Sequence, residues 1–227
     1  MSILDDLNLT IPAGYGLHPV VTKNFPGDLF DRLLIWEKPR RDQLYVVSAD
    51  VGDGIGQDRS VCDVTRVGTL KEPDEQVAQF VSAYTDPIGF APILDVIGRL
   101  YTGSDGLEAV MAIECNNHGL VTQSELQLHL GYSNLFIWTY LDAADPERAM
   151  STRIGWWTTP RTRPLILARW LRKVKSVDPV SGFPDYRINS PHTMEELRSF
   201  QTPLGIREAE ADPTNPDAHD DCVFASA

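Results

Sequence analysis

His219-Asp220-Asp221, close to the last residue, complete a carboxylate set that begins far upstream. Asp50 ends the apolar run Leu44-Tyr45-Val46-Val47-Ser48-Ala49, and Glu114 ends a second run, Ala109-Val110-Met111-Ala112-Ile113. Two strands that each finish in a carboxylate, with a further acid opening a helix, are what a two-metal phosphodiester-cleaving site requires. Mg²⁺ and Mn²⁺ take hard oxygen ligands, and two such ions roughly 3.5–4 Å apart stabilise both the attacking and the leaving oxygen of an in-line displacement. One Asp at a strand end is most often a turn or cap residue. Topology alters that reading here, because functional groups gather at the carboxyl ends of parallel strands, and Asp50 and Glu114 both sit at such ends. Carboxylates so close raise one another's pKa unless a cation neutralises them.

Other chemistries fit less well. No Gly-x-x-x-x-Gly-Lys-Ser/Thr is present, so no ATP-binding residues are assigned. Gly52-x-Gly54-x-Gly56 follows a strand but has the wrong spacing for a dinucleotide fingerprint, and the histidines at 18, 118, 129, 192 and 219 lack zinc spacing. Gly-x-Ser-x-Gly is absent. Asp53 and Asp58 are expected to hydrogen-bond the glycine turn, Asp63 to alternate outward, and His219 to cap the last helix or serve as a ligand or proton carrier.

The elements that must position these acids follow from pattern. Residues 1–40, rich in Pro and Gly, read as a leader or linker with one apolar piece at Leu29 to Trp36, and 41–227 as the functional domain. A buried strand over about 44–50 and β-branched segments at about 60–67 and 76–84 predict a three-stranded antiparallel meander. Pro87 leads a helix to about Tyr101; a strand at 109–114, a helix at 119–130 and a strand at 135–139 follow, giving an α/β mixed sheet with parallel crossovers. Beyond these lie a short strand at 154–158, an amphipathic helix from Arg163 to Val174 with Pro164 in its first turn, and an extended piece at 187–189. A capping box at Thr193-Met194-Glu195-Glu196 opens another helix. The final helix looks cut short, which suggests an excised domain or a truncated end.

Composition is that of a globular protein, 42% hydrophobic and 23% charged. No apolar stretch reaches a membrane span and no secretory signal opens the chain, so the expected location is intracellular. Cys62, Cys115 and Cys222 fit neither a disulfide framework nor a Cys-x-x-Cys site and are expected as buried thiols. The net charge of −12 argues against holding a nucleic acid by bulk attraction. Against that, Met150 to Val177 contains no acid but Arg153, Arg161, Arg163, Arg169, Arg172, Lys173 and Lys175. The segment is either a solvated face or a local phosphate-contacting patch.

Together these residues resemble the C-terminal nuclease domain of the large terminase subunits of tailed bacteriophages, of ribonuclease H-like fold. The resemblance spans about residues 33–225 and rests on Leu34-Ile35-Trp36-Glu37-Lys38-Pro39, Tyr45-Val46-Val47-Ser48-Ala49-Asp50-Val51-Gly52-Asp53-Gly54 and Ile113-Glu114-Cys115-Asn116-Asn117-His118-Gly119. Gly155-Trp156-Trp157-Thr158-Thr159, Glu196-Leu197-Arg198-Ser199-Phe200 and His219-Asp220-Asp221 continue it in order. It implies metal-dependent cleavage of concatemeric viral double-stranded DNA during genome packaging, in the host cytoplasm. Asp50, Glu114 and Asp221 match the acidic triad, with Asp220 as an adjacent metal-binding acid and Asn117 and His118 in a turn that touches DNA or positions the strand end. Two Mg²⁺ or Mn²⁺ ions are implied, Asp50 bridging them, with Arg161, Arg163 and Arg169 as candidate DNA contacts. The packaging ATPase domain, the portal and the small terminase subunit are the implied partners. The open alternatives are a Holliday-junction resolvase or transposase-like nuclease, a non-catalytic packaging docking module, and a sugar-kinase or actin-like ATPase in which Asp50-Val51-Gly52 would be a phosphate loop.

Overall fold

The computed structural model of the chain describes residues 32–103, 106–140, 151–179, 182–201, 210–211 and 219–227. Its centre is a mixed sheet in the order β1 (Leu33–Ile35), β4 (Asp74–Ser82), β3 (Ser60–Arg66), β2 (Tyr45–Asp50), β5 (Val110–Ile113), with β8 (Tyr186–Arg187) added parallel to the start of β4. The meander is present as expected, β2 to β3 to β4 antiparallel. β5 then pairs parallel with β2, Val46 against Val110 through Ala49 against Ile113. β1 pairs with Ala78 to Phe80 of β4, so the sheet begins ahead of residue 41, inside the stretch expected to be linker.

The crossover from β4 to β5 is α1 (Pro87–Leu100). Asp86 caps it, its carboxylate accepting from the N–H groups of Ile88 and Gly89, both at 3.0 Å, and Pro87 occupies the first turn where no donor is lost. Pro92 lies inside the helix, where it removes one backbone bond. Burial of Phe90, Ala91, Leu94 and Ile97 against Tyr45, Val47, Cys62 and Phe80 offsets that cost. After β5 comes α2 (Gly119–Ser124), which runs on as a single π-helical turn over Glu125–His129. This side of the sheet carries the larger core.

The other side is covered by α3 (Arg163–Lys175), α4 (Pro191–Ser199) and α5 (Asp221–Ser226), whose apolar faces meet at Leu167, Trp170, Tyr186, Leu197 and Val223. Because both faces are covered, strict alternation fails along β3, and Asp63 is wholly buried rather than outward. It takes a hydrogen bond from Ser226, and burial pushes its carboxyl up to about 6. The three cysteines are buried free thiols, as expected.

Three expected elements differ. The strand at 135–139 does not join the sheet as a full strand: Leu135 bridges Met111, and the chain then leaves as β6 (Ile137–Tyr140) to pair with β7 (Ser151–Ile154). At Gly155, with φ of 78°, the chain turns back, so that Trp156 donates to Ile113 O and continues the same edge of β5. The edge is thus shared between two short pieces. The capping box is also read differently: α4 starts at Pro191, capped by the Ser190 hydroxyl, which leaves Glu196 free to reach α5.

Arg66, 1% exposed, ends β3 at the far end from Asp50. Its guanidinium meets Glu37 at 3.0 Å, Glu72 at 2.8 Å and Glu75 at 2.7 Å, joining the loop after β1, the β3–β4 hairpin and β4. Removing one partner of a buried ionic group leaves the others uncompensated. Arg66→Ala is expected to cost about 3 kcal/mol or more in urea unfolding; a loss below about 1 kcal/mol, the ordinary worth of an exposed pair, would show that the network does not hold this end of the sheet.

Candidate metal centre and adjoining cleft

Along β2, Tyr45, Val47 and Ala49 enter the larger core, so the period of two turns Val46, Ser48 and Asp50 to the opposite face. β5 obeys the same rule, with Met111 and Ile113 in the core and Ala112 and Glu114 opposite. The two strands end level: Ala49 faces Ile113, and the Glu114 N–H donates to Ala49 O at 2.9 Å. Asp50 and Glu114 are therefore neighbours on one face, each carboxyl within reach of the other's charge. Asp221, first residue of α5, closes the group from across the sheet face, its Oδ2 accepting from the Arg59 N–H at 3.2 Å.

The turn after Glu114 is tightly built. A Cβ on Gly119 would lie 1.7 Å from Glu114 O, so only glycine lets α2 start against that carbonyl. Asn117 adopts φ of 48°, a left-handed conformation that asparagine tolerates. Asn117 and His118 are exposed and do not line the cleft described below; Asn116 is the turn residue that touches the acids. Its Nδ2 donates to Glu114 Oε1 at 3.2 Å and to Thr158 O at 2.6 Å.

Burial, and then the charges of Glu114, Asp221 and Asp220, push the Asp50 carboxyl well above the usual carboxylate range. Asp221 is pushed up to about 6 by burial, against the Arg59 hydrogen bond and with Asp220 and Asp58 adding to the rise. Asp220 is raised by burial while Arg163, its ion-pair partner, opposes the rise. Among the described residues, no three acidic, imidazole or thiol groups converge on one point. The acids instead adjoin pairwise through Asp50, as an oxygen-only set that favours a bound proton or cation at its centre, and this donor chemistry suits hard divalent cations. His219 Nδ1 lies 3.7 Å from Asp221 Oδ2, and no side chain of Asp220, the residue at the head of α5, caps that helix. Of the other nearby acids, Asp53 accepts from Ile55 N in the glycine turn as expected.

From Asp50 and Glu114 a cleft of about 790 Å³ runs between the sheet and α3. Val46, Ser48 and Ala112 form its floor and Phe136, Trp138 and Trp156 one wall, the two indoles 4.8 Å apart. Arg169, Arg172 and Lys173 of α3 border it. The candidate cations are thus in three situations. Arg169 lines the cleft; Arg161 is exposed on the turn before α3; Arg163 is engaged by Asp220 and lies 4.0 Å over the Phe224 ring. Arg172 and Lys173 had the same standing in the sequence as the other cations of the basic segment, and only the helix geometry turns them to the cleft; Lys173 also pairs with Asp74.

Neither a protein-family model nor a curated protein matches the sequence. Solved structures do match in fold. The large terminase nuclease from thermophilic phage G20c with bound cobalt superposes with a TM-score of 0.60 at 18% identity, over 92% of this chain and 90% of that one. The same nuclease with bound magnesium gives 0.57 at 17% identity over 99% and 94%. The large terminase nuclease domain of Thermus phage P74-26 gives 0.56 at 16% identity over 100% and 92%. The chain therefore has the ribonuclease H-like fold expected from its sequence.

The raised carboxyls carry a sign. With folded pKa values above the unfolded value of about 3.9, the folded state binds more protons between the two, so the cluster's cost is absent below about pH 4 and grows as pH rises through about 6. In EDTA, Asp50→Asn is expected to melt above wild type at pH 7, with the gap closing towards pH 4 and Mg²⁺ raising only the wild type. A variant that melts lower at pH 7 would mean that the Asp50 carboxylate makes a structural bond the fold needs.

Proposed function

We propose that the chain is the nuclease domain of a phage large terminase, cutting concatemeric double-stranded DNA during packaging by hydrolysis with two Mg²⁺ or Mn²⁺ ions. The observation that carries this reading is Asp50, half-buried beside Glu114 and Asp221 at the mouth of a cleft, on the fold of nucleases solved with magnesium and cobalt. When bound, the ions would supply an activated water and stabilise the departing 3′ oxygen. The chain's own part is to place oxygens. Asp50, Glu114 and Asp221 would hold the ions, with Asn116 fixing the angle of Glu114 and the Arg59 N–H the rotation of Asp221.

Asp220 adjoins the site but is bound to Arg163, so either group would have to leave the other to serve as a metal ligand or a phosphate contact. Arg169, Arg172 and Lys173 border the cleft where a backbone leaving the acids would pass, and Arg161 would extend that line. Phosphate contacts position DNA without reading it, so little base preference follows. On a body of net charge −12, this local patch gives weak DNA affinity, and retention would fall to the packaging ATPase domain, the portal and the small terminase subunit. The host cytoplasm is where that assembly would work.

Purified protein should nick and linearise plasmid DNA with Mg²⁺ or Mn²⁺ and not in EDTA. Asp50→Asn is expected to lower the rate by more than roughly 100-fold, beyond the loss typical when an outer partner of a metal ligand is removed. Near-wild-type cutting by that variant with Mn²⁺ would take Asp50 out of the site, and symmetrical cutting confined to four-way junctions would favour a resolvase instead.

The basic segment is tested separately. Arg161→Ala combined with Arg169→Ala should weaken binding to all DNA sequences alike and flatten the log–log salt dependence by roughly 0.9 per lost contact. An unchanged slope would identify these side chains as a solvated face.

A further inference from the structure

α5 carries Asp221 on six residues, too few to hold a helix by themselves. Its first-turn N–H groups have no partner inside the helix. Two of them, from Cys222 and Val223, donate to a single oxygen of Glu196 in α4, Oε2, at 2.8 and 3.0 Å. Glu196 is 5% exposed, so water does not compete for these bonds. Its other oxygen, Oε1, makes no hydrogen bond and faces Arg59 Nη1 at 3.6 Å. The same Arg59 gives its backbone N–H to Asp221 Oδ2. One residue thus grips the backbone of the two residues that follow Asp221, a second grips its carboxylate, and the two are joined to each other. At the far end of α5 the Ser48 hydroxyl donates to Ala225 O and Ser226 bonds Asp63, so that the helix is tied to β2 and β3 as well.

We propose that Glu196 is a positioning residue for Asp221: with Arg59 it sets where the Asp221 carboxylate stands relative to Asp50 and Glu114, and so sets how tightly the site takes a divalent cation. Glu196 reaches Asp221 only through the helix backbone and Arg59. This assignment rests on the reading of the three acids as a metal site.

The test is Mn²⁺ uptake by titration calorimetry, beside cleavage kinetics and melting temperature, on wild type, Glu196→Ala, Glu196→Gln and Arg59→Ala. Glu196→Ala should weaken Mn²⁺ binding and raise the half-saturating Mn²⁺ for cleavage roughly 10-fold or more, as loss of an outer partner of a metal ligand does. kcat at fixed sub-saturating Mn²⁺ should fall while KM for DNA stays put. Glu196→Gln keeps an acceptor for both N–H groups and should recover most of the affinity; Arg59→Ala, a change at a half-buried side chain, should fall between the two. A Glu196→Ala protein that melts lower yet binds Mn²⁺ as wild type does would make the glutamate structural only and overturn the assignment. If that variant does not fold, unchanged Mn²⁺ binding in both other variants overturns it equally. Wild-type protein that takes up no Mn²⁺ overturns the metal-site reading, and this assignment with it.

Discussion

The parallel pairing of β2 with β5 is the constraint on which the rest depends. Because the two strands end level, their last side chains on the cleft face are neighbours, and both are acids. Side by side in a poorly solvated place, such groups repel. The antiparallel strands β3 and β4 and the helices on both faces provide the apolar burial that tolerates this. A parallel pair needs a long crossover, and α1 supplies it, capped and proline-started at the point where β4 leaves the sheet. The third acid arrives from the last element, across the face that α1 does not cover.

Charge is sorted along the sheet. At one end Arg66 is enclosed by Glu37, Glu72 and Glu75, with Arg40 and Arg187 as outer partners, so every acid there is answered by a cation. At the other end Asp50 faces the charges of Glu114 and Asp221, Asp221 has the Arg59 N–H and His219 beside it, and Arg163 is held by Asp220. The first arrangement is complete without a ligand. In the second a proton or a cation would supply the balance, and that contrast separates structural acids from candidate functional ones more clearly than the number of acids does.

Much of this was legible in the sequence because it rests on short-range pattern. Apolar runs ending in Asp50 and Glu114, the Pro87 start and the turn glycines are local signals, and the elements they mark stand close to where pattern puts them. What was not legible depended on packing between distant segments. Asp63 was expected outward because alternation assumes one open face, and α4 and α5 close that face. Glu196 fitted a helix-opening motif, yet one of its oxygens serves a helix that begins 25 residues later. Asn116 was passed over for Asn117 and His118 because three adjacent polar residues are equivalent until φ of 48° at Asn117 turns them apart. The edge of β5 was read as one strand, and the Gly155 turn divides it between two.

The aromatic wall of the cleft has an optical consequence. Of the five tryptophans, Trp138, Trp156 and Trp170 line the cleft, and Trp156 is bridged through its backbone to Glu114 itself. The Trp138 and Trp156 rings lie 4.8 Å apart in a tilted arrangement, so a substantial part of the protein's ultraviolet emission comes from residues that border the acids. An occupant of the cleft would change the polarity seen by those rings, and the chain thereby carries an intrinsic fluorophore beside the candidate site.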